Sequence, residues 1–217
     1  MEYDVVIVGA GPAGLSTSIK LKQINPDLNV CILEKGSEVG AHILSGNVFE
    51  TRALDELIPD WKEKEAPLNS PATKDIVKFM ISGNSSINIP FPSFLIPTFN
   101  NHGNYVMSLA NFTRWLATQA ESLGVEIFPG FTAAEVIFEE NVVKGVLTGE
   151  MGISKDGEKK PSYQPSMELR GKYTVFAEGC RGHLGKQLIK KFNLDENRDP
   201  QHYGIGFKEI WDISPED

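Results

Sequence analysis

The residues with the most chemistry to offer near the start of the chain are glycines. Gly9-Ala10-Gly11-Pro12-Ala13-Gly14 has the spacing G-x-G-x-x-G and follows Val5-Val6-Ile7-Val8, four β-branched residues in a row. Such a run reads as a strand buried on both faces of a parallel sheet. Gly9 then permits the tight turn out of the strand, Gly11 lets backbone approach a pyrophosphate, and Gly14 lets the next helix pack closely. Pro12 fits the first helical turn, where a missing N–H costs nothing. An anion would rest on the free N–H groups and positive dipole end of that helix. Three features of context support a dinucleotide site. A strand precedes the glycines. A helical run with Leu15, Ile19, Leu21 and Ile24 follows them. A second strand over 30–33 ends on Glu34, twenty residues past Gly14, where an acid commonly binds ribose hydroxyls.

Composition narrows the rest. The chain has 217 residues, 41% hydrophobic and 23% charged, ample for a hydrophobic core. Its net charge of −8 argues against a nucleic-acid surface, which needs clustered Lys and Arg. No apolar run of about 18 residues exists, so no spanning helix is expected; with the first strand beginning almost at Met1, no signal or transit peptide is expected either, which suits a cytoplasmic chain or a mature form. The two cysteines, Cys31 and Cys180, and the four scattered histidines offer no metal-ligand spacing.

The elements that must position this chemistry alternate. A glycine-rich loop over 36–46 leaves the carboxyl edge of the sheet, where ligands of open α/β sheets bind. Residues 51–61 read as an amphipathic helix with Leu54, Leu57, Ile58 and Trp61 on one stripe, which either covers the core or meets a membrane surface. A hairpin is expected over 76–81 and 86–89. The segment 90–97, with three prolines among Phe91, Phe94, Leu95 and Ile96, is an apolar irregular stretch, either plugged into the protein or exposed for a partner. The polar run 100–105 is either a ligand-facing loop or a solvated connection. A helix over 109–123 stopped by Gly124, and a strand over 125–128, repeat the α/β crossover logic. A second hairpin spans 135–138 and 142–148. A polar connection over 149–165 carries Asp156-Gly157 at its tip. A strand over 172–177 leads through Glu178-Gly179-Cys180-Arg181-Gly182-His183 into a helix over 184–192, a second strand–glycine turn–helix at the same edge. The tail 203–213 alternates as a strand.

Taken together, these runs resemble the electron transfer flavoprotein–ubiquinone oxidoreductases. The runs that carry the resemblance are 4–15, Gly40-Ala41-His42 with Leu44-Ser45-Gly46, and residues 59–64. Further on they are Asn101-His102-Gly103-Asn104-Tyr105, Phe176-Ala177-Glu178-Gly179-Cys180 with Gly182-His183-Leu184, and Tyr203-Gly204-Ile205-Gly206. The first is common to many flavoproteins, whereas Gly-Ala-His-x-Leu-Ser-Gly and His-Gly-Asn-Tyr are far more particular. Geranylgeranyl-reductase-like and FixC-like flavoproteins share the layout and supply a second reading. A nucleotide-binding piece without turnover of its own is a third.

The resemblance implies an α/β, Rossmann-like FAD-binding domain with an inserted antiparallel-sheet subdomain on the quinone side, left incomplete. The expected division is 1–68 and 108–190 for FAD, 69–107 and 191–217 for the quinone side. It implies FAD and a [4Fe–4S] cluster whose cysteines lie beyond Asp217. It further implies electron transfer flavoprotein as donor and ubiquinone as acceptor, so a peripheral membrane location is expected, on the cytoplasmic face of a bacterial inner membrane or the matrix side of the mitochondrial one. Family members are much longer, so the chain looks like an N-terminal portion, inactive alone. Carried over by motif, Gly9, Gly11, Pro12, Ala13 and Gly14 would hold the pyrophosphate and Glu34 the adenosine ribose, with Lys35 along the adenine. Gly40, Ala41 and His42 would run beside the flavin, with Ser45 and Gly46 nearest. Val136 stands where relatives read adenine with backbone. Ala177, Glu178, Gly179 and Gly182 form the second dinucleotide motif, in which many relatives carry Asp where Glu178 stands. Arg114 is either a phosphate contact or a solvated charge. The monotopic membrane contact is expected over 41–62.

Overall fold

The computed structural model describes residues 1–43, 46–89 and 100–206. Strand β1 (Glu2–Val8) runs into helix α1 (Pro12–Ile24), and β2 (Val30–Glu34) returns parallel to β1, with Val5 opposite Val30 and Val8 opposite Leu33. After an excursion, α3 (Leu109–Ser122) delivers β8 (Glu126–Pro129) to the far side of β2, again parallel. The antiparallel pair β9 (Ala133–Glu139) and β10 (Val142–Thr148) follows. Strand β13 (Glu168–Phe176) then lies parallel to β1 and antiparallel to β10, and α4 (His183–Phe192) leaves its end. The sheet order is β8-β2-β1-β13-β10-β9. It is therefore a mixed sheet: four parallel strands carry the site, and an antiparallel pair closes one side.

The β-branched run does what its composition predicts. Val5 and Ile7 face one apolar cluster with Leu15, Ile19, Ile32 and Leu116, while Val6 and Val8 face a second with Leu33, Val146, Leu169 and Leu184. Both faces of β1 are thus covered, with Val6 and Ile7 wholly buried. Helices α1 and α3 pack together on the first face. Ser108 caps α3 by accepting the Asn111 N–H.

The excursion between β2 and α3 consists of small pieces: β3 (Asn47–Phe49), α2 (Arg52–Leu57), β4 (Ser70–Pro71), β5 (Val77–Ser82), β6 (Ser85–Ile89) and β7 (Tyr105–Met107). β3, β7 and β4 form one antiparallel sheet in that order, and β5–β6 form a separate hairpin. In the polar connection, β11 (Met151–Ile153) and β12 (Lys159–Gln164) pair across the Asp156-Gly157 turn.

Two expectations change. The helix expected over 51–61 shortens to α2, because Pro59 cannot continue it and Ile58 already leaves helical backbone at φ −136°, ψ 79°. Its stripe is core: Leu54, Ile58 and Trp61 are 3%, 3% and 5% exposed, and Leu57 packs against the same cluster. The membrane reading of that stripe is therefore corrected, since side chains already buried in protein have no apolar area left for lipid. In the tail, residues 203–206 carry no strand, and 207–213 lie outside the described residues, as do 90–97. The parallel grouping of the strands near 4–8, 29–34 and 172–177 is as expected. No helix among the described residues is long and apolar enough to cross a membrane.

Candidate dinucleotide-binding site

The carboxyl ends of β1, β2 and β13 reach one edge in register, with Val8 beside both Leu33 and Phe176. There the strands are stitched together: Gly9 N–H donates to Leu33 O at 2.8 Å, and Ala177 N–H donates to Val8 O at 2.8 Å. Gly9 takes φ +103°, and a Cβ there would stand 2.5 Å from Ala177 O. Only glycine permits both the left-handed turn and that approach. Gly14 faces backwards, and a Cβ would run into Gly9 O. Its place is the joint between helix and sheet, as its spacing predicts.

Gly11 is different. No atom lies within 4 Å of where its Cβ would be, and that space belongs to a cleft of about 1040 Å³. Gly11 is also the N-cap of α1, with no side chain capping the helix. The first-turn N–H groups of a helix have no intrahelical acceptors, so this end is an open seat for an anion. Glu34 lies alongside. Its Oε2 accepts the Ala10 N–H at 3.0 Å and its Oε1 accepts the Gly36 N–H at 2.6 Å. An ionised carboxylate has about four acceptor positions, so each oxygen keeps capacity for a hydroxyl donor.

The cleft is lined by Gly9, Gly11, Pro12, Ala13, Glu34 and Lys35 at the first motif, by Gly40 and His42 from the loop, and by Ala177, Glu178, Gly179 and Gly182 at the second motif. Ala41, Gly14 and Gly46 do not line it, and Ser45 lies outside the described residues. Arg114 is absent from the lining and instead meets Glu38. Val136 is also absent: it sits within β9 opposite Val146 and packs on the second core cluster. The wall on that side comes from Phe131, Thr132 and Ala133, which sequence reasoning missed. The available signal was the Pro129-Gly130 turn. Gly130 takes φ +81° and its N–H donates to Gly36 O at 2.7 Å, drawing this turn against the loop. Arg181 and His183 also line the cleft without having been singled out.

The second motif does not repeat the first. The echo of strand, glycine turn and helix predicts another free set of N–H groups at α4. In the structure the Glu178 carboxylate, 11% exposed, already occupies that helix end, accepting Leu184 N–H at 3.3 Å and Gly185 N–H at 2.8 Å. His183 Nδ1 lies 3.3 Å from the same carboxylate. The polar loop 100–105 does not line the cleft. Asp75 accepts from Asn101 N and Nδ2 at 3.1 and 2.7 Å, which holds the Asp75 carboxyl below the usual range, and Tyr105 packs edge-on against Trp61.

Fold and cleft are those of an α/β domain with a Rossmann-like run of parallel strands and an open cleft at its carboxyl edge. Residues 1–56 match the model of the Thi4 family. A geranylgeranyl bacteriochlorophyll reductase-like structure from Thermoplasma acidophilum superposes at TM-score 0.59, over 85% of this chain and 41% of that one, at 20% identity. More particularly, the chain is similar to the N-terminal part of the electron transfer flavoprotein–ubiquinone oxidoreductases, as its motifs imply. It is 60% identical to the Pseudomonas aeruginosa protein of that name, over 99% of this chain and 40% of that protein. It is 52% identical to the mitochondrial protein of Oryza sativa subsp. japonica, over 98% of this chain and 37% of that protein. The chain thus spans about two fifths of the length of these relatives.

Proposed function

We propose that the cleft seats FAD, and that in the whole protein this domain serves electron transfer from reduced electron transfer flavoprotein to ubiquinone at a membrane surface. The observation that carries the reading is the open seat at Gly11, where an uncapped helix N-terminus and an empty Cβ position face the cleft beside Glu34. The α1 N–H groups would hold the pyrophosphate, and the spare acceptor positions of Glu34 the adenosine ribose. Bound flavin supplies the redox chemistry, and the protein's task is to orient it and shape its surroundings. The [4Fe–4S] cluster, implied only by the resemblance to the relatives, is assigned with it to cysteines outside this chain.

The membrane contact is reassigned to the β5–β6 hairpin. Phe79 opposite Ile87 and Val77 opposite Ile89 share one face, and Phe79, Ile81, Ile87 and Ile89 are all exposed. Lys78 is the hairpin's one charge. Such a face suits the apolar side of a monotopic contact.

In the full-length protein, Gly11→Val places a side chain in the anion seat and is expected to strip FAD while the fold persists. Gly14→Ala meets the Gly9 carbonyl and is expected to lower the unfolding temperature itself. Flavin absorbance per mole of folded protein checks both, and full flavin in Gly11→Val sinks the reading.

A further inference from the structure

One charged residue singled out by the sequence has no place in the cleft. The Arg114 guanidinium turns toward the loop over 36–43, where Nη2 donates to Glu38 Oε1 at 2.9 Å and Nη1 donates to Asn111 Oδ1 at 3.1 Å. Asn111 lies three residues earlier on α3, so the face that presents Arg114 also fixes its planar fork. The loop rests on α3 at a second point. Gly40, at φ +84°, sits so close that a Cβ would stand 2.8 Å from Ala110 O. At its other side the same loop meets the cleft, for Gly36 N–H donates to Glu34 Oε1, and Gly40, His42 and Ile43 line the wall.

We propose that Arg114 is a positioning residue: through Glu38 it holds the 36–43 loop on α3, and so sets both Glu34 and the loop wall for the adenosine half of the dinucleotide. This rests on the reading of the cleft as an FAD site. Arg114 and Glu38 side chains are 43% and 64% exposed, so their grip is modest and open to screening by salt. Loss of the pair should change FAD release by about two- to fivefold, the range of exposed ion pairs.

The test measures FAD release from full-length holoprotein by flavin fluorescence, at roughly 0.01 M and 1 M salt, where the screening length falls from 30 to 3 Å. Arg114→Ala and Glu38→Gln are each expected to speed release about two- to fivefold at low salt, with no further gain when combined. The charge-swapped pair, Arg114→Glu with Glu38→Arg, should return toward wild type, and all variants should converge at high salt. An Arg114→Ala effect that persists undiminished on the Glu38→Gln background overturns the proposal, because Arg114 then touches the cofactor itself. Unchanged release in both single variants overturns it too, since the pair is then only surface charge. Gly11→Val serves as control. If it keeps its flavin, the cleft reading falls and takes this proposal with it, an outcome distinct from either arm above.

Discussion

Glu178 and Gly185 are joined by a hydrogen bond of 2.8 Å, in which the Gly185 N–H donates to Glu178 Oε2. The bond folds a residue of the strand–helix turn back onto the helix that follows. Gly182 makes this possible, since a Cβ there would stand 2.5 Å from Glu178 Cβ. A negative carboxylate on a helix N-terminus satisfies both the free N–H groups and the dipole. The cleft therefore has one open anion seat, at α1, and one that the chain fills itself, at α4.

Glu178→Ala leaves the α4 N–H groups without an acceptor, at a cost of about 1 kcal/mol in stability. Glu178→Gln keeps an acceptor oxygen and is expected to lose less. Gly182→Ala displaces the Glu178 side chain and should weaken FAD retention along with stability, because both residues line the cleft. Chemical denaturation with parallel flavin measurement ranks the three. Equal stability of Glu178→Ala and wild type would refute the cap.

Leu54 and the β5–β6 hairpin should separate stability from lipid binding. Leu54→Ser empties a position 3% exposed and should cost at least the roughly 2–5 kcal/mol of a Leu→Ala change in a core. Lipid affinity of the folded fraction should not change. Phe79→Ser with Ile87→Ser, at residues 59% and 55% exposed, should leave the unfolding midpoint nearly in place and weaken binding to vesicles in the full-length protein. The reverse assignment of effects would restore the α2 stripe as the membrane face.

Asp55 accepts the Trp61 Nε1–H at 2.7 Å and the Thr51 hydroxyl at 2.9 Å. These bonds, that from Trp61 first, hold its carboxyl below the ordinary Asp range. A carboxyl lowered in the folded state adds stability above its unfolded pKa of about 3.9, and that contribution is lost as pH falls through the folded value. The gap in unfolding midpoint between wild type and Asp55→Asn is therefore expected at neutral pH and should close in acid below the usual Asp range. A gap constant from neutral pH into strong acid would show that ionisation of Asp55 contributes nothing.

Local chemistry is what the sequence by itself determined. The β-branched run, the glycine spacing and Glu34 at the end of β2 each specify a short-range geometry, and each stands where its spacing puts it. Val6 and Ile7 could only be doubly buried, because no residue in the run is polar enough to face water. The periodic stripe of α2 was legible as well, but not what covers it, since protein and lipid reward the same apolar face. Tertiary structure decided that question by bringing Leu54, Ile58 and Trp61 against the α1 and α3 side of the sheet. It likewise decided Arg114, Val136 and Glu178, whose roles depend on partners far along the chain or on the direction of a single side chain. Arg114 finds Glu38 seventy-six residues away. Val136 is spent on the second core cluster, while Thr132 and Ala133, at the start of β9, reach the cleft. Glu178 could face a ligand or its own helix, and the nearer, already ordered N–H groups of α4 take it. Spacing fixes where backbone turns; which polar group meets which is settled only when distant strands arrive at the same edge.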